Sequence, residues 1–167
     1  MAKNTSVKVF DFAVKMEQDG EKFYRSLAAK SADKGVKFIL NGLADDEVKH
    51  AKVLRELEKG ASPAMKQTEI LAGSKNVFSD MASRKAFPAA GSDQMALYEQ
   101  ALEMERKSRD YYKTQADDAA LKPARELLLL IAGEESRHMF LLESMIEFIS
   151  RPQTWLENAE FNHLEDY

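Results

Sequence analysis

The 167-residue chain contains no cysteine. That absence excludes disulfides, thiolate metal sites, iron–sulfur ligation by cysteine and a cysteine nucleophile. It also fits a reducing compartment, so a cytoplasmic location is expected. Helix breakers are scarce, with 4 prolines and 7 glycines. Together with abundant Ala, Leu, Glu and Lys, this points to an all-α chain. No apolar run approaches the roughly 18 residues that a membrane span needs. Met1 to Ser6 is polar and lacks the apolar core of a secretory leader, so no membrane partner is expected. There is no basic block, and the net charge is −4, so nucleic acid is not an expected partner either.

The helical periods that are present divide the chain. A first segment runs from about Val7 to Ala29, with Phe10, Ala13, Glu17, Gly20, Tyr24 and Ala28 on one stripe. Ser31 or Asp33 can cap the next helix. That helix, about Lys34 to Lys59, places Phe38, Ile39, Leu43, Glu47, His50, Val53, Leu54 and Leu57 on its apolar side and stops at Gly60. Asp45 and Asp46 are expected to be partly solvated.

Residues 60–91 are less regular, bracketed by Ala61-Ser62-Pro63 and Phe87-Pro88-Ala89-Ala90-Gly91. They are expected to form a crossover, with short helical turns over Thr68 to Leu71 and Val77 to Ala86. A bare loop of that length would be unusual in a compact domain. A third helix is expected from Ser92, a capping residue, to Ala116, with Met95, Tyr98, Ala101, Leu102, Glu105, Ser108 and Tyr112 on its stripe. A fourth starts near Pro123, a residue suited to a first helical turn, and ends at Arg151-Pro152. The expected architecture is one domain over 1–167. A hairpin over about 7–59, the crossover over about 60–91 and a second hairpin over about 92–150 would form an antiparallel four-helix bundle. The tail, 151–167, would add one short C-terminal helix.

The two hairpins repeat. A shift of 105 − 17 = 88 residues carries Ala13, Met16, Glu17, Tyr24 and Ala28 onto Ala101, Met104, Glu105, Tyr112 and Ala116. The same shift, without a gap, carries Leu40, Ala44, Glu47, His50 and Leu54 onto Leu128, Ala132, Glu135, His138 and Leu142. It also selects among neighbours. Glu103 falls on Lys15 and Glu21 on Arg109, so neither has a symmetric counterpart. Asp46 falls on Glu134, an acidic pair expected to be solvated or to support the site from outside. Glu-x-x-His occurs a third time, as Glu160/His163, but in the tail and outside the repeat. It is not expected to bind metal.

A carboxylate and an imidazole three residues apart share one helix face and can reach one ion. Glu135 and His138 stand among leucines, where an unpaired charge is costly. Six such residues coincide under one shift: Glu17, Glu47, His50, Glu105, Glu135 and His138. In an antiparallel bundle they meet at its centre, and two divalent cations cancel the four carboxylate charges. Glu47 and Glu135 would bridge the ions, while Glu17 with His50 and Glu105 with His138 would serve one ion each. Oxygen and nitrogen ligation without sulfur favours iron or manganese over zinc for a site with redox work to do. Tyr24 and Tyr112 lie two turns after Glu17 and Glu105, so each hydroxyl can reach a ligand carboxylate of the other hairpin. Gly20 and Ser108 are small residues one turn after those glutamates. They would leave room for a small oxidant or let helices approach.

The segments Met16-Glu17, Phe23-Tyr24, Asp46-Glu47-Val48-Lys49-His50, Glu105, Tyr111-Tyr112 and Glu134-Glu135-Ser136-Arg137-His138 resemble the rubrerythrin family of the ferritin-like superfamily. The resemblance covers Phe10 to about Ser150. Dinuclear centres of this ligand pattern occur in ferritin-like di-iron and di-manganese bundles. The resemblance implies a non-haem di-iron site that reduces hydrogen peroxide, in a homodimer or higher homo-oligomer. Two departures matter. Rubrerythrins proper carry a rubredoxin-like module with four cysteines. Without it, electrons must come from a separate donor such as a rubredoxin. They also carry an extra glutamate three residues after the third-helix ligand, where this chain has Ser108, so ligand exchange at that position is not expected. The alternatives are a ferroxidase that uses dioxygen and stores iron, and a non-catalytic bundle stabilised by metal.

Overall fold

The computed structural model describes residues 2–84, 88 and 91–151. Among these, five α-helices and one 3-10 helix account for all regular structure: α1 (Ala2–Lys30), α2 (Lys34–Glu58), α3 (Ile70–Ser83), α4 (Ser92–Ala116), a 3-10 helix (Ala119–Ala124) and α5 (Arg125–Ser150). None is long and apolar enough to cross a membrane. The expected tail helix and the Glu160/His163 pair lie outside the described residues.

Local chemistry sets the boundaries. Asp33 caps α2, its side chain accepting from the Val36 N–H at 2.9 Å. This satisfies one of the helix's otherwise unpaired donors. Gly60 ends the first hairpin with a φ of 80°, a conformation that costs glycine little. Two expectations at the second hairpin are corrected. Gly91 occupies the capping position of α4 and Ser92 is the first helical residue, without a side-chain cap. Pro123 lies within the 3-10 helix, and α5 opens two residues later at Arg125. Leu121 and Ala124 are buried there, so the tighter turn is held by packing.

Helix α1 pairs with α2, and α4 with α5, as antiparallel hairpins. The exposed pairs Arg55–Asp11 and Arg25–Asp45 lie at opposite ends of the first hairpin and fix its sense. The hairpins dock with α1 antiparallel to α4, since Tyr24 meets Glu105 and Tyr112 meets Glu17. Helices α2 and α5 are also antiparallel, since Asp46 meets His138 and His50 meets Glu134.

The apolar interior forms two clusters rather than one. At one end Leu27, Ile39, Leu40, Leu43, Leu141, Met145 and Phe148 pack together. At the other, Phe10, Val14, Val53, Leu54, Leu128 and Ile131 do so. Each fully buried large side chain contributes about 1.5–3 kcal/mol relative to exposure. Between the clusters every helix of the bundle carries buried carboxylates or imidazoles.

The crossover differs from two short turns. It holds one continuous 14-residue helix, α3, preceded by an irregular run over 61–69. Ile70, Leu71, Phe78 and Met81 of α3 join the first cluster, and the Phe78 ring lies 5.2 Å from that of Phe148. Phe38, expected on the apolar face of α2, is 51% exposed. Its ring instead flanks α3 at Gly73.

Candidate metal centre

The six side chains related by the 88-residue shift converge in the polar layer. Glu17, Glu47, His50, Glu105, Glu135 and His138 are all buried. They form two overlapping sets, Glu17/Glu47/His50/Glu135 and Glu47/Glu105/Glu135/His138. Within each set the candidate ligand atoms lie within 4.8 Å of one another, so each could hold a metal ion. Glu47 and Glu135 belong to both sets. The two imidazoles face each other across the layer, their centroids 5.8 Å apart and their planes 24° from parallel.

Each imidazole turns Nδ1 toward this cluster. His50 Nδ1 lies 3.3 Å from Glu17 and 3.3 Å from Glu135. His138 Nδ1 lies 3.5 Å from Glu105 and 3.4 Å from Glu135. The opposite nitrogen meets a carboxylate of the other hairpin: His50 Nε2 and Glu134 at 2.9 Å, His138 Nε2 and Asp46 at 3.1 Å. An Nε2–H donated outward fixes the tautomer and frees Nδ1 for an ion.

Asp46 and Glu134 are therefore not solvated. Both are buried, Glu134 completely. Lys49 Nζ joins them, 3.0 Å from Asp46 and 2.6 Å from Glu134. Thr68, from the irregular run before α3, joins them again. Its N–H donates to Glu134 at 2.8 Å and its hydroxyl donates to Asp46. Neither Lys49 nor Thr68 was legible as a site residue. The shift maps Lys49 onto Arg137, and Thr68 has no counterpart in the second hairpin. Pairing of Asp46 with Glu134 under the shift was the one available signal for the outer carboxylates.

Tyr24 donates its hydroxyl to Glu105, and Tyr112 to Glu17. Both tyrosines thus span the hairpins. Burial and then the charge of the carboxylate they bond push both phenols well above the ordinary tyrosine value. They stay protonated and remain donors.

The electrostatics reveal four carboxylates that cannot all be charged together. Burial and then the charges of Glu17 and Glu135 push Glu47 well up. Burial and the charge of Glu105 push Glu135 up to about 8. Glu105 goes the other way. Burial opposes ionisation, but the neighbouring His138 charge and the Tyr24 hydroxyl hold it at about 2. Glu17 is likewise lowered against burial, by hydrogen bonds from Glu47, His50 and Tyr112. Both imidazoles rise well above their ordinary value. Burial works against this, and the surrounding carboxylates outweigh it. Without metal, then, protons on two glutamates and two imidazolium charges neutralise the layer.

The residues fit a pair of cations. Both Glu135 oxygens and His138 Nδ1 are buried without a hydrogen-bond partner. The nearby imidazole contacts are not aligned as hydrogen bonds. Unpaired atoms of this kind are costly in a protein interior unless an ion satisfies them.

A cavity of about 350 Å³ opens from solvent between α1 and α4 and reaches Glu47 and Glu105. Gly20 and Ser108 line it, where small residues were expected to leave room. A Cβ on Gly20 would stand 3.3 Å from Glu47 Cδ and crowd that carboxylate.

A family model described as "Ferritin-like domain" matches residues 5–148. No curated protein and no solved structure matches the chain.

Proposed function

Since the chain belongs to the ferritin-like domain family, we propose that it is a non-haem di-iron oxidoreductase of rubrerythrin type. It reduces hydrogen peroxide with electrons from a separate donor protein of the rubredoxin kind. The observation that carries this reading is the pair of overlapping ligand sets, each with one imidazole Nδ1, sharing Glu47 and Glu135.

In this reading Glu47 and Glu135, common to both ligand sets, would be shared by two iron ions. Glu17 and His50 complete one coordination sphere, and Glu105 and His138 the other. Manganese satisfies the same donors. The bound pair supplies Lewis acidity and two electrons. This chain's own residues do the rest. Tyr112 and Tyr24 hold Glu17 and Glu105 from the opposite hairpin. Glu134 and Asp46 orient the imidazoles. The two apolar clusters exclude water from above and below the layer. The cavity between α1 and α4 admits the oxidant. A homodimer or larger homo-oligomer in the cytoplasm completes the proposal.

The test loads metal-free protein with ferrous iron under anaerobic conditions. Oxidation by hydrogen peroxide and by dioxygen is then compared in stopped flow. Faster oxidation by peroxide is expected. Faster oxidation by dioxygen, with mineral accumulating, makes the protein a ferroxidase instead. Tight metal binding without redox cycling makes the metals structural.

A further inference from the structure

The cavity between α1 and α4 is larger and less polar than hydrogen peroxide requires. At about 350 Å³ it is roughly ten times the 30 Å³ or so that one water occupies in the liquid. It lies in the range of pockets that hold small organic molecules. Phe12, Met16 and Met104 make most of its wall surface apolar, and Lys15, Asp19 and Lys107 also line it. Its floor is Glu47, Glu105 and the Tyr24 ring. Phe12, at 56% exposure, is a large aromatic left facing solvent on α1, with its ring 5.1 Å from Tyr111. Hydrogen peroxide is as polar as water and gains nothing from such walls. A molecule with a polar head and a hydrocarbon body gains at both ends. Its head meets the carboxylate layer, and its body displaces water from Phe12 and the methionines.

We infer that this cavity seats the hydrocarbon part of an organic hydroperoxide, with its O–O group at the Glu47/Glu105 floor. The inference rests on the peroxidase reading above and extends its substrate class. In the reaction, the O–O bond of ROOH breaks with uptake of two electrons and two protons, leaving ROH and one water. The two electrons come from the external donor protein, and a metal pair held by the carboxylate layer would relay them. Gly20 and Ser108 matter here because a larger residue at either position fills the floor.

The binding half of the inference needs no metal. Metal-free full-length protein is titrated with 2-phenyl-2-propanol, the alcohol product of cumene hydroperoxide, and followed by calorimetry and protein NMR. Saturable binding is expected, with perturbed resonances confined to α1, α4 and the part of α2 around Glu47. Ser108→Leu, which fills the floor, and Phe12→Ala, which removes an exposed wall, are expected to weaken it. In iron-loaded protein, both variants lower the ratio of kcat/KM for cumene hydroperoxide to that for hydrogen peroxide by about tenfold, the scale of a mismatched apolar pocket. Because Phe12 is mostly exposed, its variant tests the inference even if Ser108→Leu fails to fold. Hydrogen peroxide reduction with no binding of the alcohol overturns this inference and leaves the peroxidase reading standing. Alcohol binding with no oxidation by either peroxide overturns the peroxidase reading, and the substrate assignment falls with it. An unchanged ratio in Phe12→Ala overturns the placement of the substrate.

Discussion

Thr68 and Glu134 are joined across the fold, the backbone N–H of Thr68 donating to Glu134 Oε1 at 2.8 Å. The Thr68 hydroxyl donates at the same time to Asp46. Glu134 meets His50, and Asp46 meets His138. A single crossover residue therefore grips the outer partners of both imidazoles. Thr68→Val removes the hydroxyl and keeps the N–H. Partners of this rank typically change metal affinity by about 10–100-fold. Loss of about tenfold is expected, larger for the ion bound by His138, with helical circular dichroism unchanged. Competition against a chromophoric chelator measures it. Unaltered affinity for both ions would show that the Thr68 hydroxyl adds nothing to the hold that Lys49 has on Asp46.

Glu135 weakens the metal-free fold. Its two oxygens are buried without hydrogen bonds, and its carboxyl is pushed up to about 8, first by burial and then by Glu105. Glu135→Gln keeps the shape and removes the charge. The metal-free variant should be more stable than the parent above pH 8, by about 1 kcal/mol or more. In a domain of this size that raises Tm by roughly 2–4 °C. The same variant should lose the paired metal site, as should Glu47→Ala. Two tightly bound ions in either variant would contradict the bridging assignment.

Much of this layer was legible because the chain states it twice. The 88-residue shift lifts Glu17 and Glu105 above equally acidic neighbours such as Glu21 and Glu103. It also assigns Tyr24 and Tyr112 to opposite hairpins. What it left open depends on contacts between hairpins or on elements without a repeat. The shift pairs Asp46 with Glu134 but leaves open whether they are solvated or support the site from outside. They are buried because the opposite helix brings an imidazole to each. The shift also pairs Lys49 with Arg137, two cations, without indicating that Lys49 reaches both outer carboxylates, and Thr68 has no counterpart in the second hairpin. Helix α3 was divided in two because Gly73-Ser74-Lys75-Asn76 interrupts its apolar period. The structure explains the glycine, since a Cβ there would stand 3.3 Å from the Phe38 ring. Phe38 packs beside the crossover rather than in the core, which a helix stripe alone does not reveal.

The two tyrosines test how the hairpins dock. Each hydroxyl spans from one hairpin to a carboxylate of the other, in a fully buried setting. Hydrogen bonds to charged groups contribute about 1.5–3 kcal/mol, and their loss leaves the acceptor unsatisfied. Tyr24→Phe and Tyr112→Phe should each destabilise the metal-free protein by about 1–3 kcal/mol in urea, with an unchanged m-value. Both should still bind two ions. A loss below about 0.5 kcal/mol in both would mean that apolar packing alone docks the hairpins.

The pH dependence of stability should differ with and without metal. Glu135 is neutral in the folded metal-free protein up to about 8, but it ionises near the ordinary carboxylate value once unfolded. The folded state then binds the extra proton, and stability falls as pH rises across that window. His50 and His138 act in the same direction, being raised in spite of burial by the carboxylates around them. Their stabilisation is complete below the ordinary histidine value and is lost as pH rises through the elevated one. Glu17, Glu105 and Asp46 are lowered, the first two by their hydrogen bonds and imidazole neighbours, Asp46 by His138, Thr68 and Lys49, each against burial. Their contribution is present above the ordinary carboxylate value and is lost only in acid. Metal-free protein should therefore be most stable in mildly acidic solution and melt at progressively lower temperature from pH 6 to pH 9. Metal binding requires these protons to leave, so affinity rises over the same range. The gap in Tm between loaded and metal-free protein should widen steadily with pH, measured by circular dichroism melts of matched samples. A metal-free protein whose Tm rises between pH 6 and pH 9 would show that the layer does not hold its charge balance with protons.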